Sequence, residues 1–295
     1  MLLNYIQPVF RPPSEAQSLI LQVSIGCSWN KCTFCEMYTE PQKRFKPKPI
    51  DEIRNELQQF VSMDIPLRRV FLADGDAMTL SYRRLHEIMQ AVNEYLPDIQ
   101  RVSAYCLPRN IKNKSVDELQ RLRDMGLEMV YVGCETGDDL VLERVNKGET
   151  WQTSLDALLK LQQAGIRRSV MILNGLGGAR YSEQHARNSA SLMNESQPEY
   201  LATLVVSFPK GQQRLQQGYA GEFQMLNLRQ LLEEMEVMLS SLNLEKTIFR
   251  SDHASNYLIL KGVLNKDKER LLNQVRTALA NPESTSFRAE WQRGL

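Results

Sequence analysis

Short apolar segments rich in β-branched residues recur along the first two thirds of the chain, and they predict the strands of a parallel sheet. Each is apolar almost without interruption, as expected of strands buried on both faces. The six segments span residues 18–26, 68–74, 100–107, 128–135, 168–176 and 200–208.

Segments with helical periodicity lie between these strands. In the clearest, residues 82–96, apolar side chains fall on one helical face. Weaker patterns span residues 50–63, 115–125, 151–164 and 182–196. Gly126 and Gly165 stand where two of these helices should end. Six strands alternating with helices predict a parallel α/β fold. The pattern fits an open doubly wound sheet and a partial barrel equally well.

The pattern changes after residue 208. A polar loop, a strongly amphipathic helix, a strand with a loop, and a final helix are predicted for residues 209–224, 228–242, 247–262 and about 265–280. We therefore expect two parts, a core over residues 1–208 and a C-terminal extension over residues 209–295 that packs on it.

Composition restricts the function classes. The 295 residues carry a net charge of +1, which argues against binding to bulk nucleic acid or to an anionic membrane. No apolar run reaches the roughly 18 residues of a membrane span, and the N-terminus lacks the apolar core of a signal peptide. We therefore expect a cytoplasmic protein. Cysteines are mostly reduced there, so a tight cysteine cluster indicates metal binding or catalysis.

Such a cluster follows the first predicted strand. The stretch "GCSWNKCTFCEMY" (residues 26–38) contains Cys27, Cys32 and Cys35. A structural zinc site needs four protein ligands, and no histidine lies nearby in the sequence. Three thiolates suit a four-iron cluster, in which one iron stays open to an external ligand. An incomplete zinc knuckle and metal-free structural thiols are the alternatives.

Three further stretches combine glycine with polar side chains after predicted strands. They are "ADGDAM" (73–78), "GCETGDDLVLERVNKG" (133–148) and "LNGLGGAR" (173–180). Glycine lets a backbone approach a bound cofactor closely, and carboxylates bind ammonium or ribose hydroxyl groups by charge-assisted hydrogen bonds. Turn glycines and solvated loop carboxylates are the simpler interpretation of each stretch taken alone.

Taken together, these motifs resemble the radical S-adenosylmethionine (SAM) superfamily over about residues 18–210. The cysteine spacing of four and then two residues departs from the usual three and then two, and Asp74 stands where a glycine is commoner. The stretch "FRSDHASNYLILKG" (249–262) is similar to a segment of functionally uncharacterised radical SAM proteins that share the extended cysteine spacing.

The resemblance implies a partial (β/α)6 barrel with a helical C-terminal extension. It implies that Cys27, Cys32 and Cys35 bind a [4Fe–4S] cluster. The residues that it places against the cluster or SAM are Phe34, Gly75, Asp76, Ala77, Glu135, Thr136, Asn174 and Gly175.

The implied activity is reductive cleavage of SAM to a 5′-deoxyadenosyl radical, which abstracts hydrogen from a small-molecule substrate. A low-potential donor such as flavodoxin or ferredoxin supplies the electron. The catalytic residues and the substrate are not identified by the sequence.

Two other functions are compatible with parts of the sequence. A non-enzymatic iron–sulfur or zinc protein would bind metal without cleaving SAM. An RNA-modifying radical SAM enzyme would need a basic patch, and the only dense basic tract is "QKRFKPK" (42–48).

Among the histidines, His253 lies beside Asp252 and close to Arg250, whereas His185 is expected in a surface-like helix.

Overall fold

The computed structural model describes residues 5–63 and 65–293, which form two compact units. The first unit comprises the described residues of 1–30, 35–133 and 157–168. The second comprises residues 31–34, 134–156 and the described residues from 169 onward.

The first unit is built on four parallel strands in the order β1-β4-β5-β6 and a short antiparallel pair, β2 with β3. Its elements are β1 (Leu19–Gln22), β2 (Ser24–Ile25), β3 (Lys46–Pro47), α1 (Ile50–Val61), β4 (Arg69–Ala73), α2 (Tyr82–Tyr95), β5 (Arg101–Cys106), α3 (Val116–Asp124) and β6 (Leu127–Glu135), whose last two residues enter the second unit.

Local sequence explains where two of these helices begin. The Ser81 side chain accepts a hydrogen bond from the Arg84 amide at 3.3 Å at the start of α2. Ser115 and Glu118 form a reciprocal capping box at the start of α3, with bonds of 3.1 and 2.8 Å. Apolar side chains from the strands and helices form the core of the unit, among them Val70, Leu72, Ile88, Val92, Leu119, Leu122 and Val130.

The second unit contains the remaining elements. They are α4 (Asp139–Arg144), α5 (Trp151–Gln163, which ends in the first unit), β7 (Arg167–Asn174, which begins there), α6 (Gly178–Ser196), β8 (Tyr200–Val205), α7 (Gln213–Gly218), α8 (Leu228–Ser241), β9 (Ile248–Ser251), β10 (Leu260–Val263) and α9 (Leu264–Ala280). Strands β7, β8 and β9 are parallel, and β10 pairs antiparallel with β9. Helix α8 packs against α6 and α9.

The structure adds elements that the hydrophobic pattern did not predict. The C-terminal extension contributes two strands, β9 and β10, where one strand and a loop were expected. Helix α7 lies inside the predicted polar loop, and α4 follows β6. Both helices have six residues, too few for an apolar stripe to repeat. Among the described residues, no helix has the length and apolar character to cross a membrane.

Candidate functional site

In the first unit, the cysteine loop begins where β2 ends. Gly26 has a φ of +71°, and a Cβ there would lie 1.8 Å from the Lys43 carbonyl oxygen, so only glycine fits. Its amide donates to Asp74 Oδ2 at 3.1 Å. Cys27 and Cys35 form no disulfide bond and are partly exposed. The loop is therefore fixed at its first residue by a carboxylate that lies 48 positions away in the sequence.

Asp74, which replaces the commoner glycine, is fully buried in an ion pair with Lys43. The Lys43 ammonium also donates to the Ile6 carbonyl oxygen at 2.8 Å, and Gln22 Nε2 donates to Asp74 Oδ2 at 3.2 Å. A buried charge is tolerated when it is paired and hydrogen-bonded, and Asp74 Oδ2 meets both conditions. The departure from the family pattern therefore introduces an anchor for the cysteine loop.

The predicted cofactor residues Gly75, Asp76 and Ala77 follow directly. A Cβ on Gly75 would lie 2.7 Å from the Gly26 carbonyl oxygen and 2.8 Å from the Cys27 Cα, so the two backbones touch. Asp76 is buried; its carboxylate accepts the Ser28 amide at 2.8 Å, the Ser28 hydroxyl, and Asn110 Nδ2 at 3.1 Å. Ala77 is buried as well. The first unit thus brings "ADGDAM" against Cys27, and Asp76 orients the residue that follows this cysteine.

In the second unit, residues 31–34 lie along the turn that follows α4. The Thr33 amide donates to the Val145 carbonyl oxygen at 2.9 Å, and Asn146 Nδ2 donates to the Lys31 carbonyl oxygen at 3.3 Å. Arg214 donates to the Cys32 carbonyl oxygen at 3.1 Å. The backbone around the buried Cys32 is therefore held from two sides.

The same turn carries a buried cation. Lys147 Nζ donates to Glu135 Oε1 at 3.0 Å and lies 5.8 Å from the centroid of the Phe34 ring. Burial lowers the pKa of Lys147, but the charges of Glu135 and then Cys32 outweigh it, so the pKa lies above its usual value. The "NKG" stretch, which the sequence marked only by resemblance, therefore supplies a permanent positive charge close to Cys32 and Phe34.

Thr136 and Gly175 belong to two different predicted cofactor stretches, and buried polar side chains connect them. His185 Nδ1 lies 2.7 Å from Thr136 Oγ1, and His185 Nε2 lies 3.9 Å from Glu234 Oε1. Glu234 accepts the Gly175 amide at 2.6 Å. His185 is 1% exposed, so the expectation of a surface-like helix was wrong at this position. Its ring contacts Thr136, which lies 49 positions away in the sequence. The periodicity of a helix cannot predict a contact with a residue that far along the chain.

Asn174, at the end of β7, is buried, and its Oδ1 has no hydrogen-bond partner among the described residues. An unsatisfied buried acceptor is costly, and contact with a bound molecule removes that cost. This atom therefore fits a cofactor-binding role.

The donor chemistry of the cysteine loop also fits the implied cluster, because thiolates are the usual ligands of iron–sulfur clusters. Across residues 5–63 and 65–293, however, no three His, Cys, Asp or Glu side chains lie close enough together to hold a metal ion. The assignment of Cys27, Cys32 and Cys35 as cluster ligands stays a prediction.

Two curated proteins are similar to part of the chain. The heme chaperone HemW of Bacillus subtilis is 24% identical over 169 residues, which cover 53% of this chain and 45% of HemW. The uncharacterized methyltransferase PH0819 of Pyrococcus horikoshii is 25% identical over 147 residues, which cover 50% of this chain and 30% of the relative. The chain thus spans less than half the length of either protein.

Among solved structures, coproporphyrinogen III oxidase (HemN) from Escherichia coli, a radical SAM enzyme, matches with a TM-score of 0.57 and 16% sequence identity. The match covers 76% of this chain and 51% of HemN. This likeness confirms the predicted fold class, the α/β fold of radical SAM proteins. The model of the radical SAM superfamily matches residues 21–190, which is more than half of the sequence, and the chain therefore belongs to the radical SAM superfamily.

Proposed function

We propose that the chain is a radical SAM enzyme in which Cys27, Cys32 and Cys35 bind a [4Fe–4S] cluster. When bound, the cluster supplies one electron that splits SAM into methionine and a 5′-deoxyadenosyl radical, which takes a hydrogen atom from the substrate. The observation that carries this proposal is the match of the superfamily model over residues 21–190. The close approach of Gly75 to Cys27 supports it, because the absence of a side chain lets the stretch "ADGDAM" pack directly against the cysteine loop.

The residues of the chain contribute binding and orientation. Asp74 and Asp76 hold the backbone on either side of Cys27, so less conformational freedom is lost when ligands bind. We also assign Phe34, Glu135, Thr136, Asn174 and Gly175 to SAM binding. The buried acceptor Oδ1 of Asn174 suits a donor on the cofactor, such as an amino or hydroxyl group.

The substrate that we propose is a small molecule, and the reductant is a one-electron donor of low potential such as flavodoxin or ferredoxin. The net charge of +1 supports a small molecule over RNA, since RNA-binding proteins concentrate positive charge.

The test is anaerobic. The protein is reconstituted with iron and sulfide, given dithionite and SAM, and 5′-deoxyadenosine is measured by mass spectrometry. We expect product from the wild type and from Cys106→Ala, which removes a buried thiol outside the cysteine loop. We expect none from Cys32→Ala. An intact cluster without SAM binding or cleavage would refute the enzymatic proposal.

A second candidate function follows from the similarity to HemW of Bacillus subtilis, which is described as a heme chaperone. A carrier would bind haem stoichiometrically and would not need to consume SAM. Titration of the reconstituted protein with haem, followed by its absorption spectrum, separates the two functions. Saturation at one haem per chain together with no 5′-deoxyadenosine favours the carrier; product without saturable haem binding favours the enzyme.

A further inference from the structure

Glu234 lies on α8, outside the stretches that the sequence associates with SAM, yet its carboxylate reaches one of them. The residue is 3% exposed. Oε1 accepts the Gly175 amide and Oε2 accepts the Ser182 hydroxyl, both at 2.6 Å. Gly175 has a φ of +84°, and a Cβ there would lie 3.2 Å from a methyl carbon of Leu231, one turn of α8 before Glu234. Helix α8 therefore sets the position of the backbone at Gly175.

The second stretch, around Thr136, is seated on α6. The Gly137 amide donates to Ser189 Oγ at 2.9 Å, and a Cβ on Gly137 would lie 2.4 Å from the Asn188 carbonyl oxygen. Asn188 Nδ2 donates to Asp138 Oδ2 at 2.6 Å. These contacts leave the stretch no room to shift without losing buried hydrogen bonds.

His185 connects the two stretches. Thr136 Oγ1 accepts the Asp138 amide at 3.0 Å and lies 2.7 Å from His185 Nδ1. If the hydroxyl donates to Nδ1, the ring of a neutral histidine carries its proton on Nε2, which faces Glu234 at 3.9 Å. Buried hydrogen bonds such as that between His185 and Thr136 restrict the geometry of the groups that they join, and the His185 ring lies between Thr136 and Glu234.

We propose that Glu234 and His185 are positioning residues for SAM binding, a role that rests on the proposed function. They hold the stretches around Thr136 and Gly175 in the geometry that receives the cofactor. Asn174 precedes Gly175, and its buried Oδ1 has no partner in the described part of the protein, so the placement of the Gly175 amide also places an acceptor that a ligand would satisfy. Glu234 Oε1 bonds to the main-chain amide of Gly175, so its effect on the predicted SAM site is transmitted through the backbone.

The experiment measures the dissociation constant of SAM by anaerobic equilibrium dialysis of the reconstituted protein, with iron content and thermal stability recorded for each variant. We expect Glu234→Ala to weaken SAM binding about 10-fold or more, because the Gly175 amide loses its buried acceptor, with iron content unchanged. Glu234→Gln should lie between Ala and wild type, because its amide oxygen still accepts the Gly175 amide. The matched control is Glu233→Gln on the same helix, whose carboxylate forms an exposed ion pair with Arg229; it should bind SAM as the wild type does.

A double variant separates positioning from general stability. If the network acts as a unit, Thr136→Val combined with Glu234→Ala binds SAM about as weakly as the worse single variant. The inference would be overturned if the loss of SAM affinity in the double variant equalled the product of the losses in the two single variants. It would also be overturned if every variant bound SAM within twofold of the wild type, or if SAM affinity fell only in proportion to thermal stability. Should Glu234→Ala fail to fold, Glu234→Gln and Thr136→Val still decide between these outcomes. If the reconstituted wild type contains iron but binds no SAM, the proposed function is overturned and the role of Glu234 and His185 with it.

Discussion

The ion pair between Lys43 and Asp74 makes a prediction whose size follows from burial. Both side chains have no exposed surface. In Lys43→Met the carboxylate of Asp74 stays buried beside neutral donors such as the Gly26 amide and Gln22 Nε2. Removal of one partner from a buried pair costs about 3–5 kcal/mol. For a chain of this size each kcal/mol lowers the melting temperature by about 2 °C, so we expect a decrease of about 6–10 °C.

Differential scanning calorimetry of the reduced, metal-free protein measures this decrease. The matched control is Lys46→Met, which removes an exposed lysine of β3 and should change stability by less than about 0.5 kcal/mol. The double variant Lys43→Met with Asp74→Asn should recover much of the loss, because an amide costs less to bury than an unpaired carboxylate. A decrease below 2 °C in the single variant, or a double variant as unstable as the sum of the singles, would refute the reasoning.

Three other predictions concern the loop, a thiol and a histidine. Gly75→Ala should lower iron content after reconstitution, because its Cβ would meet the Cys27 backbone at 2.8 Å. The control is Gly221→Ala, which strains the backbone at a φ of +81° but meets no atom within 4 Å, so it reports the effect of backbone strain alone; equal iron in both would contradict the geometry. Burial raises the pKa of the Cys134 thiol, so at pH 7.5 an alkylating reagent followed by mass spectrometry should label Cys27 well before Cys134; equal labelling of the folded protein would argue against this burial. Burial and then the charge of Arg288 lower the pKa of His253 below its ordinary 6.5, so the unfolded state takes up a proton more readily. The stability that His253 contributes is present above about pH 6.5 and is lost as the pH falls from there towards the folded-state pKa. Between pH 7 and pH 5 the melting temperature of His253→Gln should fall less steeply than that of the wild type. An unchanged slope would contradict the predicted loss of stability at low pH.

Local patterns in the sequence determined the strands and most helices. The six apolar runs predicted the parallel strands β1, β4, β5, β6, β7 and β8, and the periodicity of residues 82–96 predicted α2 (Tyr82–Tyr95) to within a residue. Such patterns are informative because the face on which a residue of a strand or helix lies follows from its position relative to its neighbours in the chain. The cysteine spacing and the glycine-bearing stretches are equally local, and they were enough to indicate the superfamily.

The tertiary structure alone decided which charges and polar groups are buried together. The sequence marks Asp74 as a departure from the family pattern, and only the structure shows Lys43, 31 positions away, beside it. His185 was expected in a surface-like helix, and no sequence pattern marked Glu234. The fold places both next to predicted cofactor stretches, 49 and 59 positions away in the sequence. The physical reason is that a charge can be buried only beside suitable partners, and these come from distant segments of the chain. Packing of the whole core decides which segments meet, and no local periodicity records it.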